Sequence, residues 1–346
     1  MATNIANKNI AILVPAYNST STLAATLRSI LTLSDDLDRH IDFLMLCDDG
    51  SKDDTVGLAE RTWTHPRVPI IVKRAENNQG EYRNVNGGIA AMPPHIEWVL
   101  LMHSDNEALP AWIKVLAREC GRVHEKVATI CGSYEYVVKG RITERGDQRG
   151  PDFIEDVRGE FAAVRRTLLD GCWWHNGACA IRVSAWKDVG GHPQDTPFEG
   201  PLEILGLRRP SLPPVKRLRI KGDWDTLLRI LSSGYTIRYV GTPVIRYIEF
   251  HASVSSGSFA WHGDLLETLQ VMRRHQAVLS FGDIIRLHWR VLCTMAWRFG
   301  GAIVRGHWRR AWFVVQTIPV MLTSLLASLA ALLRGQGGQL SRIPFG

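Results

Sequence analysis

A polar turn at the end of an apolar segment has the residue types and spacing of a chemical site. The segment VLLM (99–102) leads directly into HSDN (103–106). Alternate residues of an extended strand point the same way, so His103 and Asp105 are expected to share a face. An imidazole and a carboxylate, completed by diphosphate oxygens, suit Mn²⁺, whereas a set of oxygens alone suits Mg²⁺. The alternative is a capped turn, with Pro110 opening the next helix.

A pair of acids follows another apolar segment. Asp48 and Asp49 come directly after IDFLMLC (41–47). A carboxylate in this place can accept hydrogen bonds from a base N–H or from ribose hydroxyls. The alternative is a turn closed by Gly50, with the next residues capping a helix.

A third carboxylate site opens a predicted helix in KGDWDTLLRILSSGY (221–235). Asp223 lies at the N-terminus of that helix, where the helix dipole favours an ionised carboxylate. It is therefore a candidate general base, and Asp225 is the alternative base. The simpler interpretation of Asp223 is an N-cap.

Two adjacent tryptophans, Trp173 and Trp174, lie in CWWHNGAC (172–179). Their flat apolar faces suit the CH groups of a sugar, as in an acceptor site. A buried pair in the core explains them equally well.

Strands and helices alternate along the first part of the chain. Strands are predicted at 9–16, 41–47, 69–74 and 97–102, and helices at 20–33, from about 56, and at 82–91. This order predicts an α/β fold with a mostly parallel, Rossmann-like sheet and helices on both faces. Ligands of such sheets bind beyond the C-terminal ends of the strands. The polar segments YN, DDGS and HSDN all occupy such ends.

Composition narrows the class of protein. The chain has 346 residues, a net charge of +7 and six cysteines. The cysteines form no CxxC pair, and no cluster of His or Cys has the spacing of a zinc finger, which predicts reduced, mostly buried thiols in a cytosolic protein. The N-terminus lacks the pattern of a secretory signal. A core of ordinary size is expected at this length.

The chain changes character after about residue 255. Arginine, histidine and tryptophan interleave with apolar residues, and the uncharged stretch 311–333 follows Arg309 and Arg310. Three interpretations stay open: a helix that spans the membrane, a helix that lies on it, and a buried helix. The basic surplus is assigned to a membrane surface and to phosphate-rich ligands, and no nucleic acid partner is expected.

Six segments, taken together, carry a family resemblance. They are VPAYN (14–18), DDGSKDDT (48–55), NQGEYRNVNGG (78–88), HSDN (103–106), GACAIRVSAWKDVGG (177–191) and GDWDTLLRILSSGY (222–235). In order and spacing they resemble the family 2 glycosyltransferases, which have the GT-A fold. The resemblance covers about residues 9–255.

The resemblance implies an inverting transfer from a nucleotide-activated sugar. It places Pro15 and Tyr17 near the base, and Asp48 or Asp49 on the base or ribose. Arg83 is expected to approach the nucleotide.

The resemblance also implies a divalent metal, Mn²⁺ or Mg²⁺. His103 and Asp105 occupy the Asp-x-Asp position, and His251 is the late histidine that reaches metal or diphosphate. Asp223 takes the place of the catalytic base. Two residues depart from the family pattern: His103 replaces the first acid of Asp-x-Asp, and Gly222 replaces the glutamate before the base.

The sequence thus predicts a catalytic domain over 1–255 and a helical, membrane-associated region over 256–346. The expected donor is a nucleotide-diphosphate sugar, and the acceptor is a glycan or a lipid-linked molecule at the cytoplasmic face of the cell membrane. Cell-surface polysaccharide synthesis is the expected setting. One alternative is a degenerate transferase that acts as a membrane-bound scaffold. The other is a sugar nucleotidyltransferase, although PAYNSTSTL lacks the glycine-rich basic loop expected after the first strand of that class.

Overall fold

A computed structural model of the chain describes residues 8–138, 140–145, 153–155, 162–172, 174–193, 221–248 and 263–333. The chain forms two compact units. The first comprises Met1–Val157, Trp174–His192 and Arg229–Glu249, and the second comprises Arg158–Trp173, Pro193–Leu228 and Phe250–Gly346. The domain boundary expected at residue 255 stays a prediction.

One sheet forms the centre of the first unit. Its strands are β1 (Ile10–Ala16), β2 (Ile41–Asp48), β3 (Ile70–Arg74), β4 (Trp98–Leu101), β5 (Glu107–Ala108), β6 (Val127–Val138), β7 (Arg141–Arg145), β8 (Phe153–Glu155), β9 (Cys179–Arg182) and β10 (Thr236–Ile248). They lie in the order β3-β2-β1-β4-β9-β6-β10-β5, while β7 pairs with β6 and β8 with β10. The first four strands of that order are parallel, and β9 is antiparallel to both of its neighbours.

The helices of the described residues follow in chain order. They are α1 (Leu23–Leu31), α2 (Ser34–His40), α3 (Thr55–Thr62), α4 (Glu81–Ala90), α5 (Trp112–Cys120), α6 (Ala162–Asp170), α7 (Val183–Asp188), α8 (Gly222–Ser232), α9 (Gly263–Arg274), α10 (Phe281–Val304) and α11 (Trp308–Leu333). Short 3-10 turns lie at Asn176–Ala178 and Gln276–Val278.

Apolar side chains of β1 point alternately to the two faces of the sheet, and helices cover both faces. Ile12 and Val14 belong to the core cluster that includes Leu27 of α1. Leu13 points the other way, toward α4, where a Cβ on Gly88 would lie only 2.5 Å from its side chain. Glycine therefore lets α4 approach the sheet closely, and the predicted α/β class with helices on both faces is confirmed.

The second unit has a helical core of its own. Buried apolar residues from α9, α10 and α11 form it: Leu265, Leu266, Leu269, Val291, Met295, Val314, Val320 and Met321. A capping box of Ser280 and Asp283 begins α10, and Arg165 of α6 binds both oxygens of Asp283 at 2.8 Å. His288 of α10 and Ser324 of α11 are joined by a hydrogen bond of 3.2 Å. The described part of the C-terminal region is thus a packed helical assembly.

Candidate functional site

The turns that follow β1 and β2 are tied to each other. The Asn18 N–H donates to Ser51 Oγ at 2.8 Å, and Asn18 Oδ1 accepts from the N–H of Lys52 at 2.8 Å. Asn18 has a positive φ of 49°, which an asparagine tolerates better than most residues. Pro15 is buried in β1, whereas Tyr17 is 44% exposed. The ring of Tyr17 is therefore available at the sheet edge for stacking.

The two acids at the end of β2, Asp48 and Asp49, are buried and hold loops in place. Asp48 accepts the N–H of Ser51 at 3.2 Å and pairs with Nε of Arg74 at 3.2 Å. Asp49 accepts the backbone N–H groups of residues 79–80, both at 2.8 Å. Buried carboxylates need such partners. Asp49 thereby fixes the segment that leads into α4.

A cleft of about 250 Å³ opens beside these acids. Its lining is Gly50, Ser51, Lys52, Arg74, Ala75 and Glu76. Typical small-molecule sites measure about 300–1,000 Å³, so this cleft suits one part of a ligand such as a nucleotide. The lining combines two cationic side chains, Lys52 and Arg74, with the carboxylate of Glu76, which favours a polar ligand.

The segment HSDN forms a turn, contrary to the extended end expected from the sequence. β4 ends at Leu101, and the N–H of Asn106 donates to the carbonyl oxygen of His103 at 3.2 Å. Side chains in a turn do not alternate as they do along an extended strand. The reason for expecting His103 and Asp105 on one face therefore does not apply. Both residues are partly buried. Pro110 lies two residues before Trp112, the first residue of α5.

α4 begins beside this turn. Its first residue, Glu81, places Oε1 3.4 Å from Nε2 of His103. That Nε2 is buried and has no hydrogen-bond partner among the described residues. Arg83, the predicted nucleotide ligand, lies partly buried in the first turn of the same helix.

More polar atoms without partners surround His103. Asn106 is fully buried, and both of its side-chain amide atoms lack partners among the described residues, as does Nδ1 of His175. A Cβ on Gly177 would lie 3.2 Å from the ring of His175 and 3.3 Å from Asn106 and His103, so a larger residue would be tightly packed against all three side chains. Burial, assisted by His103, lowers the pKa of His175 to about 3. Unpaired buried polar groups in proteins ordinarily require an explanation, and a polar ligand is one.

This cluster contains residues to which sequence reasoning gave no role. Asn106 and His175 lie inside quoted motifs, and Glu81 lies inside NQGEYRNVNGG. The signal available was the place of these residues within or beside the polar motifs of the sequence. Their convergence depends on three distant chain segments.

Of the two tryptophans predicted for the acceptor site, the structure describes Trp174. Trp174 is buried, with its ring centroid 6.4 Å from those of Trp186 and His192. This is the environment that the core interpretation expects. Trp173 and His251 lie outside the described residues.

The second unit holds the two candidate bases. Asp223 is the second residue of α8 and is partly buried. Asp225 is almost fully buried, and its Oδ1 lies 3.2 Å from Nη1 of Arg274 and 3.1 Å from Nε2 of His275. Asp225 therefore forms part of a buried ionic cluster, whereas Asp223 lies in the first turn of α8.

The residues around His103 fit a divalent ion that takes some of its ligands from the protein and the others from a bound substrate. No three His, Cys, Asp or Glu side chains converge on one point in the part of the chain that the structure describes, so a closed protein site is not formed there. His103 and Asp105 offer one nitrogen and one carboxylate, and Nε2 of His103, which makes no hydrogen bond among the described residues, is the atom that would bind a metal. Diphosphate oxygens and water would complete such an open site.

Comparisons with known proteins agree with this architecture. The family model for glycosyl transferase family 2 matches residues 11–185. No curated protein sequence matches the chain.

Solved structures share the fold at low sequence identity. S. aureus TarS 1–349 in complex with UDP-GlcNAc is 16% identical with a TM-score of 0.54, and the match covers 80% of this chain and 66% of that one. The same protein in complex with UDP is 14% identical with a TM-score of 0.52, and the match covers 98% of this chain and 94% of that one. The mannosyltransferase PcManGT from Pyrobaculum calidifontis, in complex with GDP-Man and Mn²⁺, is 14% identical with a TM-score of 0.51, and the match covers 95% and 88%. The chain thus spans just under two thirds of the first TarS structure, and the likeness confirms the predicted GT-A fold.

Proposed function

Because the chain belongs to glycosyl transferase family 2, we propose that it moves a sugar from a nucleoside-diphosphate sugar to a hydroxyl group, with inversion at the anomeric carbon. The observation that carries this proposal is the meeting of three polar turns at one sheet edge. Ala16 pairs in register with Asp48, and Leu13 with Leu101, so the turns after β1, β2 and β4 emerge together. Ligands of parallel sheets bind at this edge.

The donor site of the proposal uses the groups at that edge. Tyr17 stacks on the base, and the cleft beside Asp48 receives the base or ribose. Arg83 approaches the phosphates. The structures of TarS and PcManGT contain UDP-GlcNAc and GDP-Man, which supports a uridine or guanosine donor here.

The proposed chemistry is a single displacement. Asp223 accepts the proton of the acceptor hydroxyl, and that oxygen attacks the anomeric carbon from the face opposite the nucleotide. The bond from that carbon to the diphosphate oxygen breaks as the new bond forms, which inverts the configuration. His103 and Asp105 would hold a divalent ion, Mn²⁺ or Mg²⁺, which when bound supplies positive charge against the departing diphosphate. Asp223 lies in the first turn of α8, where the helix dipole interacts favourably with a carboxylate.

The acceptor in this proposal is reached at a membrane. α11 is the helix of the described residues that is long and apolar enough to cross a bilayer, although a third of its most apolar window is buried. Exposed residues spaced four apart form a stripe along α10: Phe281, Ile285, Trp289, Cys293 and Trp297. A second exposed stripe along α11 contains Trp308, Trp312, Leu322 and Leu326.

These stripes favour a helix pair that lies on the membrane. Exposed Arg286 and Arg290 adjoin the α10 stripe, and exposed Arg309 and Arg310 adjoin the start of the α11 stripe. Arginine beside tryptophan is typical of helices in the interface with anionic lipids. The proposed acceptor is therefore a glycan or lipid-linked molecule at the cytoplasmic face, and cell-surface polysaccharide synthesis is its proposed setting.

Calorimetric titration of UDP, GDP and dTDP into the purified protein, with MnCl₂, tests the donor site. One nucleotide is expected to bind the wild type. Tyr17→Ala should weaken its binding about tenfold or more, because stacking of a base on an aromatic ring contributes about 1–3 kcal/mol. Tyr17→Phe keeps the ring and should bind as the wild type does. No binding of any of the three nucleotides would contradict the proposal.

A further inference from the structure

Glu81 and His103 approach each other at a distance that fits two ligands of one metal ion. Glu81 Oε1 and His103 Nε2 are 3.4 Å apart. A charge-assisted hydrogen bond between them would measure about 2.7–2.9 Å. Two ligand atoms about 2.1 Å from one ion, at tetrahedral or octahedral angles, are separated by about 3.0–3.4 Å. The observed separation of 3.4 Å is longer than such a hydrogen bond and falls within the range for two ligands of one ion.

Glu81 also restores the charge that is lost at position 103. The Asp-x-Asp pattern of the family offers two carboxylates, and His103 removes one of them. The side chain of Glu81 is 45% exposed and thus open to a ligand. Its position is fixed because Asp49 holds the two backbone N–H groups that precede it, at residues 79–80. Two carboxylates, Asp105 and Glu81, are then present next to this turn.

A second observation points to a ligand at the same place. Nε2 of His103 is buried and makes no hydrogen bond among the described residues, and neither amide atom of the fully buried Asn106 makes one. Both side chains would lie 3.3 Å from a Cβ on Gly177, so they border the same small space. A hydrated ion with diphosphate oxygens supplies both the acceptors and the donors that these atoms need.

We propose that Glu81 and His103 together bind the divalent ion of the donor site, with Glu81 replacing the carboxylate that the family pattern has at position 103. This inference rests on the proposed function. Because imidazole nitrogen suits Mn²⁺ better than Mg²⁺, the site prefers Mn²⁺.

Electron paramagnetic resonance of free Mn²⁺ measures this binding directly, without turnover. MnCl₂ is titrated into the full-length protein with saturating UDP or GDP, whichever binds. Glu81→Gln keeps the size of the side chain and should raise the apparent Kd for Mn²⁺ about tenfold or more, since even supporting residues of metal sites contribute about 10–100-fold. Glu60→Gln, an exposed carboxylate on α3, is the matched control and should change nothing.

A compensating variant tests the replacement itself. His103→Asp added to Glu81→Gln returns a carboxylate to the family position and should recover tight binding, with Mg²⁺ now competing with Mn²⁺ more effectively. Circular dichroism and thermal unfolding establish that each variant is folded. A Glu81→Gln variant that binds Mn²⁺ as the wild type does, or a double variant without recovery, would overturn the inference.

The failure of the inference differs from the failure of the proposed function. Nucleotide that binds equally well in EDTA and in MnCl₂ overturns the metal pair and leaves the donor site standing. A wild type that binds no nucleotide under either condition overturns both.

Discussion

At the scale of single residues, the two candidate bases differ in their surroundings. Asp225 is buried in contact with Arg274 and His275, both within 3.2 Å of its Oδ1. Removing one partner of such a buried pair ordinarily costs several kcal/mol, which indicates a structural role. Asp223 lies in the first turn of α8 and is only partly buried. The role of the base is therefore better assigned to Asp223 than to Asp225.

The apolar run before Asp48 and Asp49 predicted that these acids would lie at the end of a strand. It did not predict which groups they would contact. Asp48 ends β2 and Asp49 follows it, as expected from the apolar run before them. No pattern in the sequence predicts that Asp49 accepts both N–H groups at residues 79–80, or that Glu81 approaches His103. Such contacts join segments that are distant in the chain, and only the packing of α4 on the sheet brings them together.

At the scale of elements, short and turn-rich segments were the least predictable. The strand expected at 41–47 is observed at Ile41–Asp48, and the helix expected at 82–91 is observed at Glu81–Ala90. HSDN was expected to be extended, but a backbone hydrogen bond closes it into a turn. β9 was not predicted at all. Its four residues pair antiparallel between β4 and β6, and that insertion depends on the tertiary arrangement of the sheet.

The N-terminus of α10 gives a prediction about stability and pH. Hydrogen bonds from Arg165, with further bonds from Ser280, lower the pKa of Asp283 to about 2, below the ordinary value of 3.8. Because the folded state favours the ionised carboxylate, its stabilisation is complete above about pH 4 and is lost as the pH falls toward 2. Asp283→Asn should therefore lower the stability by about 0.5–2 kcal/mol at pH 7, the usual contribution of a cap.

Urea unfolding followed at pH 7 and at pH 3 measures this effect. The difference in the free energy of unfolding between the wild type and Asp283→Asn should be smaller at pH 3 than at pH 7. Glu60→Gln, the same change from acid to amide on the exposed face of α3, serves as the control, since its side chain caps no helix. An equal difference in the free energy of unfolding at both pH values would contradict the stabilising role of the ionised Asp283 carboxylate.

At the scale of the whole molecule, charge and exposed apolar surface are expected to direct the chain to a membrane. Trp289 and Trp297, 61% and 75% exposed, dominate the α10 stripe. Their replacement by alanine should weaken binding to vesicles of phosphatidylcholine and phosphatidylserine about tenfold or more, because each large aromatic side chain buries about 150–250 Å².

Sedimentation with these vesicles measures the binding. Tyr17→Ala removes an exposed aromatic ring from the first unit and should bind vesicles as the wild type does. Raising the salt concentration should weaken binding of all three proteins, because the arginines beside the stripes attract anionic lipid. Equal sedimentation of the double tryptophan variant and the wild type would show that the α10 stripe does not contact lipid.

The most direct test of the central claim is the release of nucleoside diphosphate from a panel of UDP-, GDP- and dTDP-sugars. The full-length protein is incubated with Mn²⁺ and a membrane lipid extract as the source of acceptor. We expect the wild type to consume one class of donor, and Asp223→Asn to be slower by about 10²–10⁴-fold while still binding the nucleotide. A wild type that binds nucleotide but consumes no donor, or an Asp223→Asn variant with unchanged turnover, would contradict the account. The first result would favour the scaffold, and the second would remove the assigned base.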